Sequence, residues 1–281
     1  MESVAITRFE VVRLFTSRRW FVAAPVWLLV AKLSADDVIS YAAGAGLTHW
    51  SVFDVHAAAV NNMFYVGLLL LTTFVLIACD GLAHDRETRL AHVIVTRAGL
   101  KQRWWIAKAL AVLLAAAVFQ AGFLVAAVAV GAFEGGTGSP APSSVALGAT
   151  DPGSEAQAHL LFTPADADTD MLVREIGVAL YQTLAFGSVG LLMLAVTSRF
   201  PVSWLPALLA LGTVLLDHTL NWLIRSPWYL WVSPTTRLME AIHSARVVSD
   251  PIPLWSSVAW FLVMGGASAA IGTGVIVRAD I

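Results

Sequence analysis

Ala109-Leu-Ala-Val-Leu-Leu-Ala-Ala-Ala-Val-Phe-Gln-Ala-Gly-Phe-Leu-Val-Ala-Ala-Val-Ala-Val-Gly-Ala-Phe133 runs for 25 residues without an Asp, Glu, Lys or Arg. Roughly 20 apolar residues cross a bilayer core as a helix, so this stretch is long enough to span one. Working outward from it, the windows 55–79, 176–198 and 251–277 are equally free of charge, and 200–224 is broken only by Asp217. Hydrophobic residues make up 58% of the 281 and charged residues 13%, against about 25% charged in an ordinary soluble domain. The fold class is an all-α, multi-pass membrane protein.

The first span is shorter. Trp20 to Ala31 is apolar, Lys32 follows, and Asp36 and Asp37 come after it. Twelve residues rise only about 18 Å, so the usable length depends on Lys32 carrying its ammonium to the interface and extending the span to Tyr41. A re-entrant or interfacial segment is the alternative. Charge asymmetry favours a span. With six spans and an inner amino terminus, 12 Lys and Arg fall inside and 5 outside, of the 17 in the chain. That is the direction of the positive-inside rule. The expected layout is an interfacial helix over 2–19, then spans over 20–41, 57–79, 104–133, 172–197, 201–224 and 254–277, with both termini cytoplasmic. A cleaved signal peptide is not expected over the first nineteen residues, which carry Glu2, Glu10 and four Arg.

Outside the spans the segments differ in character. Ile6, Phe9, Val12 and Phe15 give residues 2–19 an apolar stripe, with Arg8, Arg13 and Arg18 free to face headgroups. Residues 34–55 read as a modest outer loop. Residues 134–170 read as a longer, extended one, rich in Pro, Gly, Ser and Asp, with Leu160-Leu-Phe162 able to dip to the membrane. Its Asp166, Asp168 and Asp170 lack the Gly and closing Glu of a calcium loop, so a solvated turn with Asp170 capping the next helix is expected. Residues 225–250 form a second outer segment with Trp228, Tyr229 and Trp231 at interface level, then a short helix from Pro234 placing Arg237 and Glu240 on one face.

The chain carries no motif for chemistry of its own. No G-x-x-x-x-G-K-[ST], H-E-x-x-H or G-x-S-x-G occurs, and the single Cys79 allows neither a metal pair nor an intramolecular disulfide. No catalytic residue and no metal site are expected, and nucleic acid is not an expected partner. Intramembrane polar residues are the better lead, because a carboxylate in hydrocarbon costs several kcal/mol and faces protein or water. Asp217, His218 and Asn221 lie together in the fifth span. Asn61, Tyr65, Thr72 and Cys79 line the second, either as helix-to-helix contacts or as a conduit.

Between the second and third spans sits a charged island. It reads Asp85-Arg86-Glu87-Thr88-Arg89-Leu90-Ala-His-Val93-Ile94-Val-Thr96-Arg97-Ala-Gly, then Lys101-Gln-Arg103-Trp-Trp-Ile-Ala-Lys108. A charged helix, a Gly break, a basic cluster and a Trp pair lead straight into the next span. That is how a membrane protein presents a docking element to a soluble partner.

The island resembles the corresponding loop of ABC-2-type transporter permeases, the membrane subunits of type V-like ABC exporters. Asp85-Arg86-Glu87, Thr88, the apolar Leu90–Val95, Thr96-Arg97, Arg103 and Lys108 occupy the places of that pattern. Two features depart from it: Arg89 follows Thr88 where a Gly is usual after the acidic start, and Ala98-Gly99 stands in place of the usual turn Pro. The resemblance implies a coupling helix over 84–97 in which Asp85, Arg86, Glu87, Thr88, Arg89, Leu90, Val93 and Ile94 meet the ATPase. It also implies two copies of a partner ATPase that binds ATP and Mg, a second permease copy or paralogue, and a prokaryotic plasma membrane. Asn61, Tyr65, Thr72, Asp217, His218 and Asn221 would then line the pathway or the dimer seam. Two alternatives stay open: an ion-coupled carrier or membrane enzyme using Asp217 and His218, and a non-transporting anchor of a larger complex.

Overall fold

A computed structural model of the protein describes residues 2–79, 81, 84, 85, 88, 90, 91, 94, 101–148, 167–200, 202–224, 227–239, 243 and 251–278. Its elements in order are α1 (Glu2–Phe15), α2 (Trp20–Gly44), α3 (Val52–Asn61), a π-helical segment (Phe64–Leu71) continuing into α4 (Thr72–Ala78), and α5 (Lys101–Phe133). There follow a short α6 (Ser144–Gly148), α7 (Met171–Arg199), α8 (Leu205–Ile224), α9 (Pro227–Val232), a 3₁₀ turn (Thr236–Leu238) and α10 (Leu254–Arg278). Among the described residues no strand forms, and one isolated bridge ties Ser51 to Thr137. The protein is all-helical.

Among the described residues three helices, α5, α7 and α10, are long and apolar enough to cross a membrane. The expected second span is broken: α3 and the π-helical segment with α4 meet at an angle of 85°. The break falls at Asn62, whose Oδ1 accepts from the amides of Phe64 (3.0 Å) and Tyr65 (3.3 Å), offering the backbone a partner other than the continuing helix. Asn61, Tyr65, Thr72 and Cys79 therefore do not form one straight helical face. The loop expected from residue 34 is also shorter, because α2 stays helical to Gly44. Lys32 pairs one turn on with Asp36 (2.7 Å) and across to Glu134 (2.9 Å), which keeps those charges on the helix surface.

Neighbouring helices fix the direction of the bundle. Val112 and Leu113 of α5 lie against Gly190 and Gly187 of α7, and Trp105 near the start of α5 donates to Ser198 (2.8 Å) near the end of α7, so these two run antiparallel. Gly265 of α10 meets Ser188 of α7 and Gly272 meets Trp105, so α7 and α10 run parallel. Gly131 lets α5 approach α3 so closely that a Cβ there would lie 2.9 Å from the Val52 Cα. The starts of α2 and α5 and the ends of α4, α7 and α10 share one end of the bundle, here called the basic end after Arg13, Arg19, Lys101 and Lys108. The core between them is aromatic. Phe119 contacts Phe74 at 5.7 Å, Phe186 at 6.1 Å and Trp27 at 5.3 Å between ring centroids, joining α2, α4, α5 and α7.

The far end is closed by polar contacts. Ser51 and Asp54 form a capping box at the start of α3, and Ser143 donates a second bond to the same Asp54 oxygen (2.6 Å). Asp170 caps α7, as its sequence position predicts, by accepting from the Val173 amide at 3.1 Å. Leu160, Leu161, Phe162 and Asp166 lie outside the described residues.

Candidate functional site

The site begins with four side chains from three segments that sequence order keeps far apart. Glu10 and Arg13 lie one turn apart on α1, Lys108 lies two turns into α5, and Asp85 sits in the island. Lys108 Nζ reaches both carboxylates, Asp85 Oδ2 at 2.7 Å and Glu10 Oε2 at 2.9 Å. The Arg13 guanidinium donates to Asp85 Oδ1, and Trp104 Nε1 donates to the second Glu10 oxygen at 3.0 Å. Lys108 also stands over the Trp104 ring, 5.4 Å from its centroid. Two cations and two anions thus close a network linking α1, the island and α5.

Burial gives this network its stakes. The Asp85 side chain is fully buried, and Glu10 and Lys108 are nearly so. Burial by itself pushes the Asp85 carboxyl up; the Arg13 hydrogen bond and the Lys108 ammonium outweigh that and hold it below its ordinary 3.8. The same hydrogen bond holds the Arg13 guanidinium above its usual value. Removing one partner of such a network strands a buried charge, at a cost of about 3–5 kcal/mol. The island is therefore clamped to the bundle.

The clamp orients the rest of the island. Ala91 and Ile94 are buried in this chain's own core and Leu90 packs against it, while His84 and Thr88 are exposed. The Thr88 amide donates to the His84 carbonyl at 3.0 Å, closing a helical turn, and its Oγ1 donates to the same oxygen at 2.8 Å. Leu90 and Ile94, which the sequence reading gave to a partner, face this chain's own core here, while His84 and Thr88 face out. Arg86, Glu87, Arg89 and Val93 lie outside the described residues. No family model matches the sequence, and no curated protein matches it either.

The polar candidates of the expected second and fifth spans separate in the structure. Asp217 is buried and receives the Tyr229 hydroxyl, the Ser233 hydroxyl (2.7 Å), the Thr235 amide (3.0 Å) and the Thr235 hydroxyl. It pins the segment after α8 back onto that helix. His218 points the other way and is exposed, and Asn221 follows on α8 with its side chain outside those described. Asn61 is buried at the end of α3, Tyr65 donates to Asp37 of α2 (2.9 Å), and Thr72 is half-buried where α4 begins. Tyr65 and Asp37 thus bind the broken span to α2.

Sequence reasoning missed other functional-grade contacts. His56 Nδ1 lies 2.6 Å from Glu175 Oε2 with both side chains fully buried, joining α3 to α7. The two residues are 119 apart in the chain, and nothing local signals the pairing. Arg237, expected to share one face of a short helix with Glu240, is buried. It donates to the Trp231 carbonyl (2.6 Å) and to Ser257 of α10 (2.7 Å), and Glu240 lies outside the described residues. Glu10 carried no assignment from the sequence either; its position one turn before Arg13 on an apolar-striped helix was the available signal.

Proposed function

We propose that this chain is the membrane-spanning subunit of an ATP-driven transporter of the ABC-2 type, an exporter working as a dimer beside two copies of a separate ATPase. The observation that carries it is the buried Glu10–Arg13–Asp85–Lys108 network. A docking element transmits force only if it is rigidly joined to what must move. Here the island is joined to α1 by Arg13 and to α5 by Lys108, so displacement of the one displaces the others. Six crossings are part of this reading: α2, the broken α3–α4 pair, α5, α7, α8 and α10, with the basic end cytoplasmic. ATP binding in the partner supplies the differential free energy, shifting the pathway from inward-open to outward-open. The ATP and Mg belong to that partner.

A second reading, an ion-coupled carrier, draws on the broken α3–α4 pair, because discontinuous helices mark ion and substrate sites in carriers. It does not draw on Asp217, whose oxygens are occupied in holding the outer segment. The two readings part in one experiment. The chain is co-expressed with a candidate P-loop ATPase of the same organism, and association and ATP hydrolysis are measured. The isolated chain should show no hydrolysis. Leu90→Asp and Asp85→Ala should each release the island from the bundle, weakening association and lowering coupled hydrolysis at least several-fold. Full association and full hydrolysis in both variants would refute the docking assignment.

A further inference from the structure

Between α3 and α7 lies a pair of ionisable side chains with no part in the readings above. His56 and Glu175 are both fully buried, and His56 Nδ1 stands 2.6 Å from Glu175 Oε2. A nitrogen and an oxygen come that close only with a proton between them. The pair's two other polar atoms, His56 Nε2 and Glu175 Oε1, are buried without a hydrogen-bond partner. Its hydrogen bonding is thus confined to the pair itself. Phe123 of α5 flanks the imidazole, with ring centroids 5.5 Å apart.

Two proton counts fit that geometry. With one exchangeable proton, Nδ1–H donates to a carboxylate and the pair is an anion. With two, the pair is neutral whichever atoms hold them, and the count belongs to the pair rather than to either residue. Both counts leave Nε2 and Oε1 unmet, so hydrogen bonding does not choose between them. Net charge does, because a buried site sheds a net charge by changing its proton count. The charged groups that face the pair pull in opposite directions. Arg174 Nε, 3.9 Å from Glu175 Oε1, favours the anion. Asp54 of α3, which holds the Ser51 amide and the Ser143 hydroxyl, favours the neutral pair. The ionisable groups of α2 are engaged elsewhere, Lys32 with Asp36 and Glu134, and Asp37 with Tyr65 of the π-helical segment. The charges of α5, on Lys101, Arg103 and Lys108, lie at the basic end.

We propose that His56 and Glu175 form a proton-binding latch, neutral with two protons while α3 is fastened to α7, and loosened when one proton leaves to water. Both side chains are sealed from solvent, so that proton reaches water only as α3 moves. In the unfolded chain above about pH 6.5 the imidazole is neutral and the carboxylate ionised, which leaves a single proton on the two. The folded pair carries one proton more. Its contribution to stability is therefore complete below that pH and is lost as the pH rises through the release of the extra proton. What the latch holds is α3, the half of the broken span that precedes Asn62. It does not depend on the chain being a transporter subunit; the topology proposed above adds only that it reads the pH outside the cell.

The test uses the full chain, purified in a neutral detergent, with unfolding temperature followed from pH 6 to pH 8.5. Glu175→Gln keeps the shape and a hydrogen bond to the imidazole, but its amide takes up no proton in this range. The unfolding temperature of wild type minus that of Glu175→Gln should fall by about 2–4 °C for each pH unit as the pH rises. A merely structural hydrogen bond gives a difference that does not change with pH. The double variant His56→Leu with Glu175→Leu removes both groups and strands neither, a replacement that buried pairs often tolerate. Measured against it, wild type should show the same fall, so the result stands even if Glu175→Gln folds poorly. A difference that stays level across the range for the variants that fold, or that grows with pH, would overturn the latch.

Discussion

A carboxylate at position 217 accepts from Tyr229, Ser233 and both polar groups of Thr235, and each donor is buried. Asp217→Leu keeps the volume and removes every acceptor, leaving buried donors unpaired at about 1–3 kcal/mol each. A marked fall in unfolding temperature in detergent is expected, with a smaller fall for Asp217→Asn, which keeps one oxygen. His218→Ala, on the exposed side, should change little. Stability of Asp217→Leu equal to wild type would mean that the segment after α8 is held by something else. Asp85 makes a second prediction, in pH. Its folded-state pKa lies below the ordinary 3.8, so its contribution is complete above that value and is lost as pH falls through the depressed one. The difference in unfolding temperature between wild type and Asp85→Asn should hold steady from about pH 7 to pH 5 and close only below about pH 4. A difference that closes near neutrality would assign the effect to another group.

At the scale of elements, α5, α7 and α10 pack because small residues let large rings in. A Cβ added at Gly272 would lie 2.3 Å from Trp105 Cζ2, and that ring is held in place by its bond to Ser198. Gly272→Val should therefore cost about 1–3 kcal/mol through overpacking. Gly274, two residues on, meets nothing within 4 Å. Gly274→Ala should be neutral or stabilising, since Gly is a poorer helix former by about 1 kcal/mol. Chemical unfolding of the pair separates close packing from helix propensity; equal effects would show that Trp105 moves aside. The broken α3–α4 pair belongs to this scale too. Residues 55–79 read as one apolar run, and only the Asn61-Asn62 pair hinted that the helix would stop there.

The whole molecule places the Arg- and Lys-rich segments at one end and residues 134–148 with the start of α7 at the other. If the basic end is cytoplasmic, Ser139 faces outward from the cell and Thr88 inward. Both are exposed, while native Cys79 is buried. In a Cys79→Ala background, an impermeant thiol reagent should label Ser139→Cys in intact cells and Thr88→Cys only after permeabilisation. The reverse pattern would invert the topology and remove the island from reach of any cytoplasmic ATPase.

Hydropathy made the helical, membrane-embedded class legible, because apolar length is a property that no tertiary contact can change. Asp170 before Met171 likewise announced its helix start, since a cap is local to a few residues. The partners of charged side chains were not legible. Asp85 meets Arg13 across 72 positions and Lys108 across 23, and His56 meets Glu175 across 119. Such pairings depend on which helix ends converge. Leu90 and Ile94 show the same limit from the apolar side. An amphipathic stripe on a loop helix announces that one face will be covered, but the pattern is identical whether a partner or the chain's own core covers it. Three-dimensional packing made that choice: the Asp85 carboxylate is neutralised by Arg13 of α1 and Lys108 of α5, which turns the island onto both.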